Sequence, residues 1–138
     1  MSWDERYIGL AEHVAGWSKD PNTKVGAVIV RPNNTIISLG FNGFPRRIAD
    51  DSRLDDRKVK LEMILHAEIN AFISATQDVS SCTLYTWPFL SCSRCASVMI
   101  QAEIKRVVAP TNTIERWEEN LKLSRTLFAE AGVEVVEL

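Results

Sequence analysis

Residues 66–70 read HAEIN and residues 90–95 read LSCSRC. The whole chain of 138 residues holds two histidines and three cysteines, so three of these five fall in two short clusters. Cys92 and Cys95 have the C-x-x-C spacing of a metal-binding or redox pair, and the spacing alone does not choose between them. The run CSRCASVMIQA predicts a short helix, whose first turn favours thiolate through its dipole and free N–H groups. His66 stands at or near the start of a second helix, predicted to run from about Leu61 or His66 to Ala75. Imidazole and thiolate together suit Zn2+, and the set stops at three. His13 lies on the first helix beside Val14, and Cys82 opens a strand away from the C-x-x-C turn. A structural zinc site closes with four protein ligands, whereas three leave a position for water. Glu68 is placed to serve that position. Side chains at i and i+2 diverge in a helix interior, yet in a first turn both reach the same end. A carboxylate beside an open metal position can shuttle protons. The expectation is one Zn2+ per chain on His66, Cys92 and Cys95, with Glu68 catalytic and not a ligand.

Outward from these clusters the pattern is regular. Ser2 and Glu5 have capping-box spacing, and Tyr7, Leu10, Ala11, Val14 and Trp17 follow at helical intervals. The loop SKDPNTK ends that helix before Pro21. VGAVIV and TIISLGF, joined by RPNN, predict a β-hairpin. Residues 42–60 carry Gly, Pro and dense charge without apolar periodicity, which predicts a long surface loop, with DDSRLDDRKVKLE a solvated face. CTLYTW is a strand, CASVMIQA a helix, RVVA a strand, IERWEENLKLSRTLFAEA a helix and VEVVEL a last strand. The order α-β-β-α-β-α-β-α-β predicts an α/β fold, a three-layer α/β/α sandwich around one mixed sheet of about five strands, as one domain over residues 1–138.

Composition narrows the function. Hydrophobic residues make up 46% and charged residues 25%, ordinary for a globular domain. The formal net charge of −2 lacks the basic footprint of a polynucleotide-binding protein. No apolar run reaches the length of a membrane span, and MSWDERYIGL is acidic and amphipathic, unlike a secretion signal. An odd number of cysteines argues against a disulfide framework and for a reducing cytoplasm, a host's if the source is viral.

H-x-E opening one helix and C-x-x-C opening the next, with a strand between, is the pattern of zinc-dependent base deaminases. The chain resembles the cytidine deaminase-like superfamily, and within it the deoxycytidylate (dCMP) deaminases. SKDPNTKVGAVIV, GFNGFP, HAEINA and IQAEIKRVV are similar to segments typical of that family, and the resemblance runs from Ser18 to the last strand. One position departs: Ser91 stands where the family pattern P-C-x-x-C has proline, although serine is itself a favoured N-cap. The resemblance implies hydrolytic deamination of dCMP to dUMP, and nothing in the residues excludes dCTP as a second substrate. Zinc lowers the pKa of a water that attacks C4 of cytosine, while Glu68 carries a proton to N3 and helps ammonia leave. It also implies that the Ala67 N–H contacts the pyrimidine carbonyl and that Asn42 contacts sugar or base; as a residue before Gly43, Asn42 reads equally well as a turn. It further implies a homo-oligomer and dCTP or dTTP effectors near GFNGFP, with Mg2+ accompanying a triphosphate.

The residues themselves suggest where a phosphate would sit. The loop SKDPNTK offers Lys19, Thr23 and Lys24 together with hydroxyls and free backbone N–H groups, and Arg46 and Arg47 are a second basic pair. Trp87 and Phe89 read as base-stacking rings or as core. Arg116 and Trp117 read as contacts to a neighbouring subunit's site. Cys82 reads as a buried, inert thiol. Three rivals stay open: a deaminase of tRNA or single-stranded DNA, a deaminase of another base, and a non-enzymatic zinc module, for which Glu68 would be superfluous.

Overall fold

In the computed structural model, which describes residues 1–138, the Ser2 side chain accepts from the Glu5 N–H at 3.1 Å and Glu5 accepts from the Ser2 N–H at 3.4 Å. This reciprocal cap starts α1 (Trp3–Ala15), which buries Tyr7, Ala11, Val14 and Ala15. β1 (Gly26–Val30) and β2 (Ile36–Phe41) form the antiparallel hairpin. Asn34 in its turn takes the left-handed conformation (φ 67°) that asparagine tolerates. β3 (Thr83–Trp87) pairs antiparallel with β1, and β4 (Arg106–Ala109) and β5 (Glu134–Glu137) extend the sheet in parallel, giving the order β2-β1-β3-β4-β5.

β1 is buried along its whole length because both faces of the sheet are covered. Val28, Val30, Tyr85 and Val108 face α1, through Tyr7 and Ala11. Ala27, Ile29, Leu84 and Val107 face the other way, into a larger cluster with α3 (Ala67–Ala75), α4 (Ser93–Gln101) and α5 (Glu115–Ala131). The three-layer sandwich is therefore lopsided, with one helix on one face and three on the other. Two glycines permit backbone-close seating. A Cβ at Gly26 would lie 2.0 Å from the Ala11 carbonyl oxygen, and one at Gly40 would lie 2.5 Å from both Ala67 O and Ala71 N.

Residues 42–60 are not the irregular loop that their charge predicts. Gly43 bridges to Leu65, a 3₁₀ turn covers Ser52–Asp55, and α2 spans Arg57–Met63. Leu54 and Lys60 are buried, so this run is not simply a solvated face. The helix containing Glu68 starts afresh at Ala67 and does not continue from Leu61.

Asp4, in the first turn of α1, ties that helix to the sheet. It takes a two-pronged pair from Arg106 (2.8 and 2.6 Å) and the Tyr85 hydroxyl at 2.7 Å. The Arg106 hydrogen bond holds the Asp4 carboxyl below its ordinary value, against a smaller upward push from burial. A depressed carboxyl contributes stability that is present above about pH 4 and lost as pH falls through its folded value. Allowing for the pair's partial exposure, Asp4→Asn should cost about 1 kcal/mol. Urea denaturation of both proteins should show that gap constant from pH 7 to 5 and closing below pH 4.

Candidate active site

His66 is the N-cap of α3 and Cys92 the N-cap of α4, and neither side chain accepts from its helix. A capping oxygen at such a position usually stabilises by about 1 kcal/mol, so these two places hold metal-binding atoms at a cost. Part of it is recovered at α4 by α5: Asn120 accepts from the Ser93 N–H and donates to the Ser93 hydroxyl, both at 3.0 Å. Ser91 precedes the cap position and does not cap the helix.

The ligand atoms of His66, Cys92 and Cys95 all lie within 4.8 Å of one another. His66 Nδ1 is 3.2 Å from Cys95 Sγ and 3.5 Å from Cys92 Sγ. With Zn–S of about 2.3 Å and Zn–N of about 2.1 Å, ligands on one tetrahedral zinc stand about 3.6 Å apart, so this donor set fits the ion. The Cys95 hydrogen bond, followed by that of His66, brings the Cys92 thiol down to about 4 against the effect of burial. The same bond and burial push Cys95 up, and the Cys92 partner holds His66 above its ordinary value. Of the two thiols, Cys92 is thus the one whose thiolate its neighbours favour. Cys82 is buried elsewhere and raised by that burial.

Glu68 is 4% exposed, and burial pushes its carboxyl upward. The Ser91 hydroxyl, buried and without a well-aligned protein partner, pulls it back. Burial thus favours the protonated form of Glu68, and Ser91 opposes that push.

His66, Ala67, Glu68 and Cys92 line a cleft open to solvent. Phe89 and Trp117 form an aromatic part of its wall, with ring centroids 5.6 Å apart. The Trp117 indole N–H is buried and has no protein acceptor. Trp117 thus lines the cleft of its own chain, while Arg116 is exposed and lies over the Trp117 ring at 5.5 Å. Trp87 is on the opposite face of the sheet, packed with the α1 cluster, and does not line the cleft.

The loop between α1 and β1 is organised by Asp20, a residue that the charge pattern gave no reason to single out. Its Oδ1 accepts from Asn22 N–H (2.8 Å), Thr23 N–H (3.3 Å) and Lys60 Nζ (3.0 Å), and its Oδ2 from Asn42 Nδ2 (3.3 Å). Asn42 also donates to Thr23 O at 2.9 Å and accepts from Val25 N–H at 2.9 Å. Its amide therefore holds the loop's shape, although the residue lines the cleft. The N–H groups of residues 22 and 23, expected to be free, are committed to Asp20. Thr23 lines the cleft, but Lys19 and Lys24 do not: Lys19 is exposed, and Lys24 Nζ donates to Ser18 O at 2.6 Å. Arg57, Lys60, Asn22 and Asn120 line it without having been anticipated.

Two outcomes follow for purified protein. Elemental analysis should find about one zinc per chain, lost in Cys92→Ala or Cys95→Ala and kept in Cys82→Ala. The side chains of Lys60 and Asp20 are 4% and 5% exposed, so Lys60→Met strands a buried carboxylate. Chemical denaturation should show a loss of about 3–5 kcal/mol, partly restored by adding Asp20→Asn.

Residues 1–111 match the family model described as the cytidine and deoxycytidylate deaminase zinc-binding region. A protein of Aliivibrio fischeri, described as an uncharacterized deaminase, is 42% identical over 99% of this chain and 93% of its own length. Deoxycytidylate deaminase of Homo sapiens is 36% identical over 96% of this chain and 78% of its own. Among solved structures, dCMP deaminase from the cyanophage S-TIM5, in complex with dCMP and dUMP, superposes with a TM-score of 0.80 at 27% identity, covering 97% of this chain and 95% of that one.

Proposed function

The chain belongs to the cytidine and deoxycytidylate deaminase family, and from that premise we propose that it hydrolyses dCMP to dUMP and ammonia, acting as one deaminase domain over residues 1–138. The observation that carries this reading is the convergence of His66, Cys92 and Cys95 beside a buried Glu68 in one cleft. Relatives that align over nearly the whole chain bear the name deoxycytidylate deaminase, which favours a cytosine mononucleotide over another base or a polynucleotide.

His66, Cys92 and Cys95 would hold zinc, which when bound supplies the Lewis acidity that makes water a nucleophile at neutral pH. The chain's own residues do the rest. Glu68 takes a proton from the attacking water and delivers it to N3 as the oxygen adds at C4, then takes the proton of the new C4 hydroxyl and passes it to the departing amine as the C4–N bond breaks. The Ala67 N–H, in the first turn of α3 and without an intrahelical acceptor, would donate to the pyrimidine carbonyl oxygen. The residue is fully buried, and its small side chain leaves room for the ring. Phe89 and Trp117 flank the ring. Thr23 and Asn42 lie at the sugar and phosphate end, Asn42 acting through the loop that it shapes.

The same reading extends to dCTP as a second substrate and to dCTP or dTTP as effectors, with Mg2+ accompanying them near Arg46 and Arg47. These two arginines are exposed and follow Gly43-Phe44-Pro45. A homo-oligomer is part of it too, supported by exposed Ile73, Val98 and Leu123 on three helices of one layer.

Glu68→Gln keeps size and hydrogen bonding but cannot carry a proton near neutral pH. It should keep its zinc and bind dUMP normally while turnover of dCMP falls by about 10²–10⁴-fold. Elemental analysis, calorimetry and ammonia release on that variant check the three parts. Loss of zinc would make Glu68 a ligand, and near-normal turnover would remove it from the chemistry.

A further inference from the structure

The charges that line the cleft point to one residue for reading the substrate's phosphate, and we infer that it is Arg57. The inference rests on the dCMP reading above and adds to it a specificity-determining contact that lies outside the loop and zinc motifs. Apart from His66, the cations lining the cleft are Lys60 and Arg57. Lys60 is not available. Its ammonium is buried against Asp20 at 3.0 Å, and withdrawing it would strand that carboxylate. Arg57 is exposed at the start of α2 and takes part in none of the chain's six ion pairs. Its guanidinium is therefore uncommitted.

The rest of the cleft offers a phosphate no net attraction. Asp20 and Lys60 cancel, and two thiolates balance the charge of a zinc ion. Glu68, whenever ionised, repels. A nucleoside monophosphate brings close to two negative charges that need a cation near the cleft mouth, and a guanidinium supplies parallel N–H donors that match phosphate oxygens. Asn22 and Thr23 line the same cleft. Their backbone N–H groups are held by Asp20, which fixes the loop and leaves the side-chain amide and hydroxyl to face a ligand. Lys19 and Lys24, the nearer cations in sequence, are outside the cleft.

The test uses zinc-loaded full-length enzyme: wild type, Arg57→Gln, Arg57→Lys and, as a control for charge alone, Lys58→Gln. Steady-state kinetics on dCMP and deoxycytidine are paired with calorimetric binding of dUMP. Charge-assisted hydrogen bonds of this kind typically contribute a factor of about 10–100 in affinity. Arg57→Gln should lower kcat/KM for dCMP by that factor, chiefly through KM. The ratio of dCMP to deoxycytidine specificity and the dUMP affinity should fall in parallel. Arg57→Lys should recover part of each, and Lys58→Gln should match wild type, with zinc content equal in all four proteins. Wild-type dUMP affinity and an undiminished substrate ratio in Arg57→Gln would overturn the assignment of Arg57 while leaving dCMP deamination intact. A wild-type enzyme that does not turn over dCMP, or prefers deoxycytidine, would overturn the underlying reading and this inference with it.

Discussion

Helix α3 meets the sheet with almost no side chain between them. Ala67, Ala71 and Ala75, four residues apart and all buried, face β2 where Gly40 has no Cβ to offer. Two residues earlier on the same strand face, Ser38 donates to the Ala71 carbonyl at 2.7 Å, and Asn70 reaches the Phe41 carbonyl at 2.8 Å. The depth and direction of the helix are thereby set by backbone contact, the stiffest kind of packing a sheet can provide. His66 and Glu68 inherit that precision because they sit at its first turn. α4 packs on the same sheet face through Cys95, Ala96 and Met99. Two helix starts are thus brought side by side, and the donor atoms of three residues come within bonding range of one ion.

The site draws on several features that would be unfavourable elsewhere. Two helices begin without side-chain caps, and a carboxyl is buried beside thiols. A lysine and an aspartate are buried together on the wall of the cleft. Each weakens the fold relative to an apolar alternative. The compensation is distributed: a sheet covered on both faces, an α1 tied down by Asp4 and Arg106, and an Asn120 that caps a helix other than its own. Apart from Asn120, which lines the cleft, this stability is supplied away from it, and the cleft is left free to be polar.

What was legible in the sequence was what is local. The Ser2–Glu5 cap, the hairpin around RPNN and the H-x-E and C-x-x-C clusters each declare themselves within a few residues, and the element order then fixes the sandwich. The region 42–60 carries no periodic signal of its order because Lys60 is buried by an ion pair with a residue 40 positions away. The loop SKDPNTK looked like a ready phosphate cradle because its lysines are conspicuous. Its architecture depends instead on Asp20, whose carboxylate turns back on its own backbone. Trp87 and Phe89 are two residues apart in sequence, yet they end on opposite sides of the sheet, as the chain leaves β3 between them.

His66 and Cys95 are 29 positions apart, so an ion that holds both also ties off a loop of the chain. A loop closed only in the native state couples folding to the concentration of whatever closes it. By mass action, each tenfold rise in free zinc above its dissociation constant adds about 1.4 kcal/mol to the apparent stability. A melting temperature measured for this protein is therefore a reading of metal buffering as well as of packing. Two laboratories using different chelating buffers would report different folds of stability for the same chain.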